Sequence, residues 1–185
     1  MRRCTSFVGI VPVVVVLLVV MALPAGAKKD TPFNATMWGN DVEFDFDFAL
    51  DGAAVAARCP EMIEADLVVQ SLTTFVGIGN GTHLGRFVAT AQHCSNVDTG
   101  LYMDGRLTIE AANGDELVGT YTNGYSVPDA IPPTEVAFFD EFSFTDGGTG
   151  RFTFASGGGA ETGTFNFGTG DFTVEMTGRI AYSRK

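Results

Sequence analysis

The sequence predicts an all-β fold, a single small antiparallel β-barrel of about eight strands, with a β-sandwich as the alternative. Three observations carry this expectation. Runs that alternate or are rich in β-branched residues follow one another at close spacing, and no convincing amphipathic helix interrupts them. Glycine clusters and an Asn113-Gly114 pair punctuate those runs as turns. The aromatic load is 16 Phe against 1 Trp and 4 Tyr, rings that fill a closed interior without asking for hydrogen bonds. Closure is preferred to the sandwich because it removes edge strands, which an exported all-β protein would otherwise have to protect.

The start of the chain reads as a leader. Met1-Arg2-Arg3 is basic, the run from Phe7 to Leu23 is apolar, and Pro24-Ala25-Gly26-Ala27 supplies a small-residue cleavage site. Residues 1–27 are therefore expected to be a signal peptide, the mature chain to start at Lys28, and the protein to be secreted or periplasmic. The alternative is an uncleaved anchor, although the run falls short of the ~20 residues that span a bilayer. The remainder is one domain's worth of chain: a flexible, polar lead-in over 28–40 and a barrel domain over 41–185. Asn34-Ala35-Thr36 would accept a glycan only in a eukaryotic secretory pathway. With 11 Lys plus Arg against 22 Asp plus Glu, the net charge is -11. Phosphate backbones and anionic lipid repel such a surface, so neither nucleic acid nor, after cleavage, a membrane is an expected partner. The oligomeric state is not indicated. Of 3 cysteines, Cys4 lies in the leader, and Cys59 and Cys94 read as a disulfide in an oxidising compartment, with two buried thiols as the alternative.

Taken in order, Val42, Phe44, Phe46, Phe48 and Leu50 alternate with Glu43, Asp45, Asp47 and Ala49. That period of two predicts a strand with phenyl rings on one face and solvated carboxylates on the other. Ala53 to Ala57 form either a helical turn or a weak strand. Met62 to Val76 predict a long strand or a bent pair, ended by the glycines from Gly77 to Gly81, with Thr82 to Gln92 as its partner. Leu107–Ala111 and Leu117–Tyr121 make a hairpin around Asn113-Gly114-Asp115. A proline-rich loop runs from Asn123 to Pro133. Strands follow over Glu135–Thr145, Arg151–Ala155, Thr162–Phe167 and Phe172–Tyr182, with Gly157-Gly158-Gly159 as a separator. Gly85-Arg86-Phe87 is echoed by Gly150-Arg151-Phe152, and both copies read as a glycine turn with positive φ that delivers the chain into a strand.

Thr82-His83-Leu84-Gly85-Arg86-Phe87, Ala112-Asn113-Gly114-Asp115-Glu116-Leu117 and Gly147-Gly148-Thr149-Gly150-Arg151-Phe152 together resemble a group of small, mostly uncharacterised exported bacterial β-barrel proteins. The Gly-Gly-Thr-Gly-x-Phe element is also similar to one in plant dirigent proteins and their allene oxide cyclase relatives. That resemblance implies an eight-stranded, calycin- or allene-oxide-cyclase-like barrel. It also implies an apolar lumen in which a reactive small molecule is cyclised or coupled. No position here matches the active-site residues of those barrels, so no catalytic residue is carried over.

Candidate chemistry is sparse. His83 and His93 are the two histidines. Neither sits at a metal-ligand spacing; His83 reads as a hydrogen-bonded turn residue and His93 as a strand-end residue. There is no Gly-x-Ser-x-Gly elbow and no phosphate loop, and no cofactor or metal is implied. Arg86 and Arg151 read as structural forks onto carboxylates or carbonyls; pointing inward, they would anchor an anionic ligand. The candidate ligand-binding residues are Phe44, Phe46, Phe48, His83, Arg86 and Arg151. The first function class is a barrel that binds a small apolar molecule in its lumen. The others are a non-catalytic structural or interaction module of the envelope or secretome, and a cyclase- or isomerase-like enzyme on the analogy with the plant barrels.

Overall fold

Residues 29–129 and 134–182 are described by the computed structural model of the chain; the expected signal peptide lies outside them. Eight strands close into an antiparallel barrel in sequence order: β1 (Lys29–Asp45), β2 (Ser71–Gly81), β3 (Gly85–Asn96), β4 (Leu101–Ala111), β5 (Glu116–Pro128), β6 (Glu135–Phe144), β7 (Ser156–Asn166) and β8 (Phe172–Tyr182). Each strand pairs with the next, and β1 pairs with β8 to close the ring.

The stretch read as a flexible lead-in is the first half of β1. Thr31, Phe33, Ala35 and Met37 alternate inward and are buried, while Pro32, Asn34 and Thr36 between them face out. Pro32 fits because its carbonyl faces the His83 ring, away from β8. Its missing N–H therefore points to the side where β1 has no strand neighbour, pairing with β2 starting only at Ala35. The expected strand at 42–50, by contrast, stops at Asp45, whose carboxylate accepts from the Phe48 N–H and turns the chain into a 3₁₀ turn over Asp47–Leu50.

The segment left open at 53–57 is helical: α1 (Gly52–Arg58) is capped by Asp51, which accepts from the Ala53 and Ala54 N–H groups. The start of the expected strand at Met62 is instead α2 (Pro60–Glu64), with proline in its first turn. A residue far along the chain holds it there, since the Asp104 carboxylate accepts from the Glu61 and Met62 N–H groups. The glycines at 77–81 run inside β2 and do not end it. Gly79 is needed because the Phe87 ring and the Thr36 carbonyl occupy the space a side chain would take. Gly157-Gly158-Gly159 likewise lies within β7, and the expected strand at Arg151–Ala155 does not form: Gly150–Phe152 is a 3₁₀ turn, a further turn follows, and β7 starts only at Ser156. The Asn113-Gly114 hairpin and the last strand form as expected, and Gly85 and Gly150 adopt φ +69° and +53°. Half of the expected proline-rich loop is strand, as β5 extends to Pro128; residues 130–133 lie outside the described residues.

The two ends of the barrel differ. At one, Leu84 from the β2–β3 turn and Phe152 from the β6–β7 connection plug the lumen beneath Phe33, Phe142 and Phe144, all buried. The opposite end carries the β3–β4, β5–β6 and β7–β8 connections and the helical segment. That segment lies on the outside of β2, β3 and β4, where Cys59, Met62 and Cys94 form a second small core with Phe48, Leu72 and Met103 around them. The expected Cys59–Cys94 disulfide fastens it. Among the described residues no helix is long and apolar enough to cross a membrane.

Candidate functional site

Inward alternation decides what the upper half of the barrel contains. On β3 the inward series is Phe87, Ala89, Ala91, His93 and Ser95, and at Ala91 the small side chain leaves space that a larger one would fill. A cavity of about 310 Å³ results, opening between the connections at the unplugged end. Phe44, Phe75, Phe138 and Phe165, from β1, β2, β6 and β7, cluster in its wall, in tilted and edge-to-face contacts with ring centroids 5.8 to 6.3 Å apart.

A polar arc contributed by five successive strands also lines it: His93, Tyr102, Tyr121, Asp140 and Glu161, the two acids on the same strands as Phe138 and Phe165. Asp140 of β6 and Glu161 of β7 are direct cross-strand partners and both are buried. The Tyr102 hydroxyl donates to Asp140 Oδ2 at 2.8 Å; Asp140 Oδ1 is buried without a hydrogen-bond partner among the described residues. The His93 ring stacks on Tyr102 at 4.3 Å, and its Nδ1 lies 3.0 Å from the Tyr121 hydroxyl.

Burial sets the charge states here. Asp140 is pushed up to about 7 by loss of water, against the opposing effect of the Tyr102 hydrogen bond. Glu161 is raised well above the carboxylate range by the same desolvation and then by the neighbouring Asp140 charge. His93 is lowered to about 3, first by burial and then by the Arg58 charge, so the imidazole is neutral. Tyr102 and Tyr121 are raised by burial and by the two acids and remain phenols. Arg58 itself stands behind β3, donating to the backbone carbonyls of Gln92 and Asp104. The arc can thus hold or release a proton at the acid pair, with its hydroxyls and imidazole uncharged. Among the described residues no group of three or more His, Cys, Asp or Glu side chains is placed to hold a metal.

Of the residues singled out from the sequence, Phe44 lines the cavity. Phe46 is exposed and stacks on Phe44 from outside the cavity lining, and Phe48 packs on the disulfide cluster. His83 is a turn residue with φ +67° at the plugged end, hydrogen-bonded around Thr31, Pro32 and Tyr182. Neither arginine faces the lumen: Arg86 is exposed, and Arg151 lies 3.6 Å from the Asp115 carboxylate and over the Phe152 ring. The arginines therefore offer no anion anchor in the cavity. His93, expected at a strand end, is an inward residue within β3, beside a register shift against β4. The acid pair was missed although a signal existed: Asp140 is in phase with Phe138 and Phe142, and Glu161 with Phe165.

Fold and site together define a small closed antiparallel barrel, sealed at one end, with an aromatic lumen that carries a buried acid pair. No protein-family model, curated protein or solved structure matches the chain.

Proposed function

We propose that this chain is an exported barrel protein that binds one small, largely apolar molecule in its lumen. The observation that carries this reading is the cavity of about 310 Å³ above a solidly packed lower half. An eight-stranded barrel is just wide enough either to be filled by side chains or to hold one small ligand. Here the lower half takes the first solution and the upper half the second. Rings and a few convergent polar groups line it together, which is the composition of a small-molecule site. The Cys59–Cys94 disulfide and the leader-like start support export.

A neutral naphthalene dye tests the reading. It is expected to bind the folded, monomeric protein at one-to-one stoichiometry and to be displaced by compact hydrophobic compounds. Ala91→Phe, which fills the cavity, is expected to abolish binding while leaving the far-ultraviolet circular dichroism unchanged. Absence of saturable binding, or binding that survives in a folded Ala91→Phe protein, would instead favour a packed structural module with function on its surface.

A further inference from the structure

The acid pair narrows the ligand class, an inference that rests on the lumen-binding reading above. Two carboxyl groups 6% and 7% exposed face the same cavity from adjacent strands. Such groups are ordinarily paired with a cation or coordinate a metal, because an unpaired buried charge is costly. Neither arrangement is present among the described residues. No lysine or arginine lines the cavity, and Arg58 is spent on backbone carbonyls behind β3. The groups that face the pair from the neighbouring strands are Tyr102, Tyr121 and the neutral His93, none of which supplies positive charge. Tyr102 satisfies Asp140 Oδ2, while Oδ1 is left buried without a hydrogen-bond partner. The same cavity is lined by the rings of Phe138 and Phe165, on the strands of the pair itself, and of Phe44 and Phe75 on β1 and β2, whose faces attract cations as well as apolar carbon.

We propose that the ligand carries a protonated amine on a compact aromatic or aliphatic body, the ammonium bound between Asp140 and Glu161 and the body against the phenylalanine wall. In the free protein near pH 6 both carboxyls hold their protons, one of them where the ammonium would sit. Binding exchanges one cation for the other: the ammonium enters, one carboxyl ionises to pair with it while the other keeps its proton and accepts through its carbonyl oxygen, and the displaced proton leaves to solvent. The acidic surface of the chain favours approach of a cation.

Isothermal titration of the disulfide-intact protein with three matched probes, 2-phenylethylamine, 2-phenylethanol and 3-phenylpropanoate, tests this. The amine is expected to bind one-to-one and at least about 10-fold tighter than the alcohol, since charge-assisted hydrogen bonds are roughly twice as strong as neutral ones. The propanoate is expected not to bind. In two buffers of different ionisation enthalpy near pH 6, amine binding should release close to one proton and alcohol binding none. Glu161→Gln and Asp140→Asn should each lose about 10-fold or more for the amine and little for the alcohol. Equal or tighter binding of the alcohol or propanoate, or amine binding without proton release, overturns the ammonium assignment and leaves the lumen reading standing. The proton count needs no variant to fold. Binding of the naphthalene dye without the amine likewise overturns the assignment alone, and failure of the dye and all three probes overturns both.

Discussion

Replacing Glu161 by glutamine removes one ionisable member of the buried pair at nearly constant shape, and its effect on stability should change with pH in a direction the structure dictates. Asp140 titrates at about 7 in the folded protein against 3.8 for an unperturbed aspartate. An acid raised in this way binds its proton more tightly when folded. Its contribution to stability is complete below the unfolded value and is lost as pH rises through the folded one. With each pKa unit equivalent to about 1.4 kcal/mol, the shift at Asp140 alone corresponds to a loss on the order of 4 kcal/mol between about pH 4 and about pH 7. Glu161, raised in the same direction, adds to it. At pH 5 the pair is largely protonated in the folded state, so Glu161→Gln should be close to neutral. Near pH 8 the variant no longer buries the second charge or its repulsion of Asp140, and should be more stable than the parent by at least about 1 kcal/mol. For a domain of this size that is a rise in Tm of roughly 2 to 4 °C per kcal/mol. Urea unfolding of both proteins at pH 5, 6, 7 and 8 isolates the effect as a difference, in which the titration of the other surface acids cancels. A difference independent of pH, or a variant less stable than the parent at pH 8, refutes the assignment of a desolvated acid pair.

Three further outcomes are expected. Reduction of Cys59–Cys94, which closes a loop of 35 residues, should destabilise the protein by about 3 to 4 kcal/mol on the chain-entropy estimate; an unchanged urea midpoint in reductant would contradict the strap's role. Gly150→Val should cost more than about 1 kcal/mol, since φ is +53° and the new Cβ would run into the Asp115 carboxylate. Gly85→Val, with similar φ but an open approach, should suffer from the backbone alone and lose less; equal melting of both with the parent would remove the turn argument. Asp104→Ala should weaken the protein by about 1 to 2 kcal/mol by leaving the Glu61 and Met62 N–H groups without their acceptor. Asp104→Asn should lose less, because asparagine tolerates the φ of +57° and can still accept; the reverse order in urea midpoints would contradict this.

What was legible in the sequence was local. β8, the Asn113-Gly114 hairpin and the positive-φ glycines depend on alternation and turn chemistry within a few residues, and those signals survive folding. What was not legible depends on partners far along the chain. Thr31, Phe33, Ala35 and Met37 alternate weakly, and pairing with β8 and, from Ala35 on, with β2 makes them a strand. Residues 60–64 sit in a stretch of high β-propensity, yet the Asp104 carboxylate and the disulfide hold them as a helix. The Phe44, Phe46 and Phe48 row looked like a wall of the lumen, but the Asp45 side chain breaks the alternation after its first member. At the site, Asp140 and Glu161 could be found only by asking which phase of each strand points inward, and each is an acid occupying a position its strand otherwise gives to valine, phenylalanine or glycine. His93 was obscured by polar Gln92 and by the register shift that follows it.

The central claim is that a small molecule occupies the upper lumen, and amide chemical-shift mapping tests it most directly. Titrated with 2-phenylethylamine, the isotope-labelled protein should show saturable shifts concentrated at Ala91, His93, Tyr102, Tyr121, Asp140 and Glu161. Leu84, Asn113 and Phe152 at the plugged end should stay still. Shifts scattered over the outer face of the barrel, or none in response to this amine or to the neutral dye, would contradict the account.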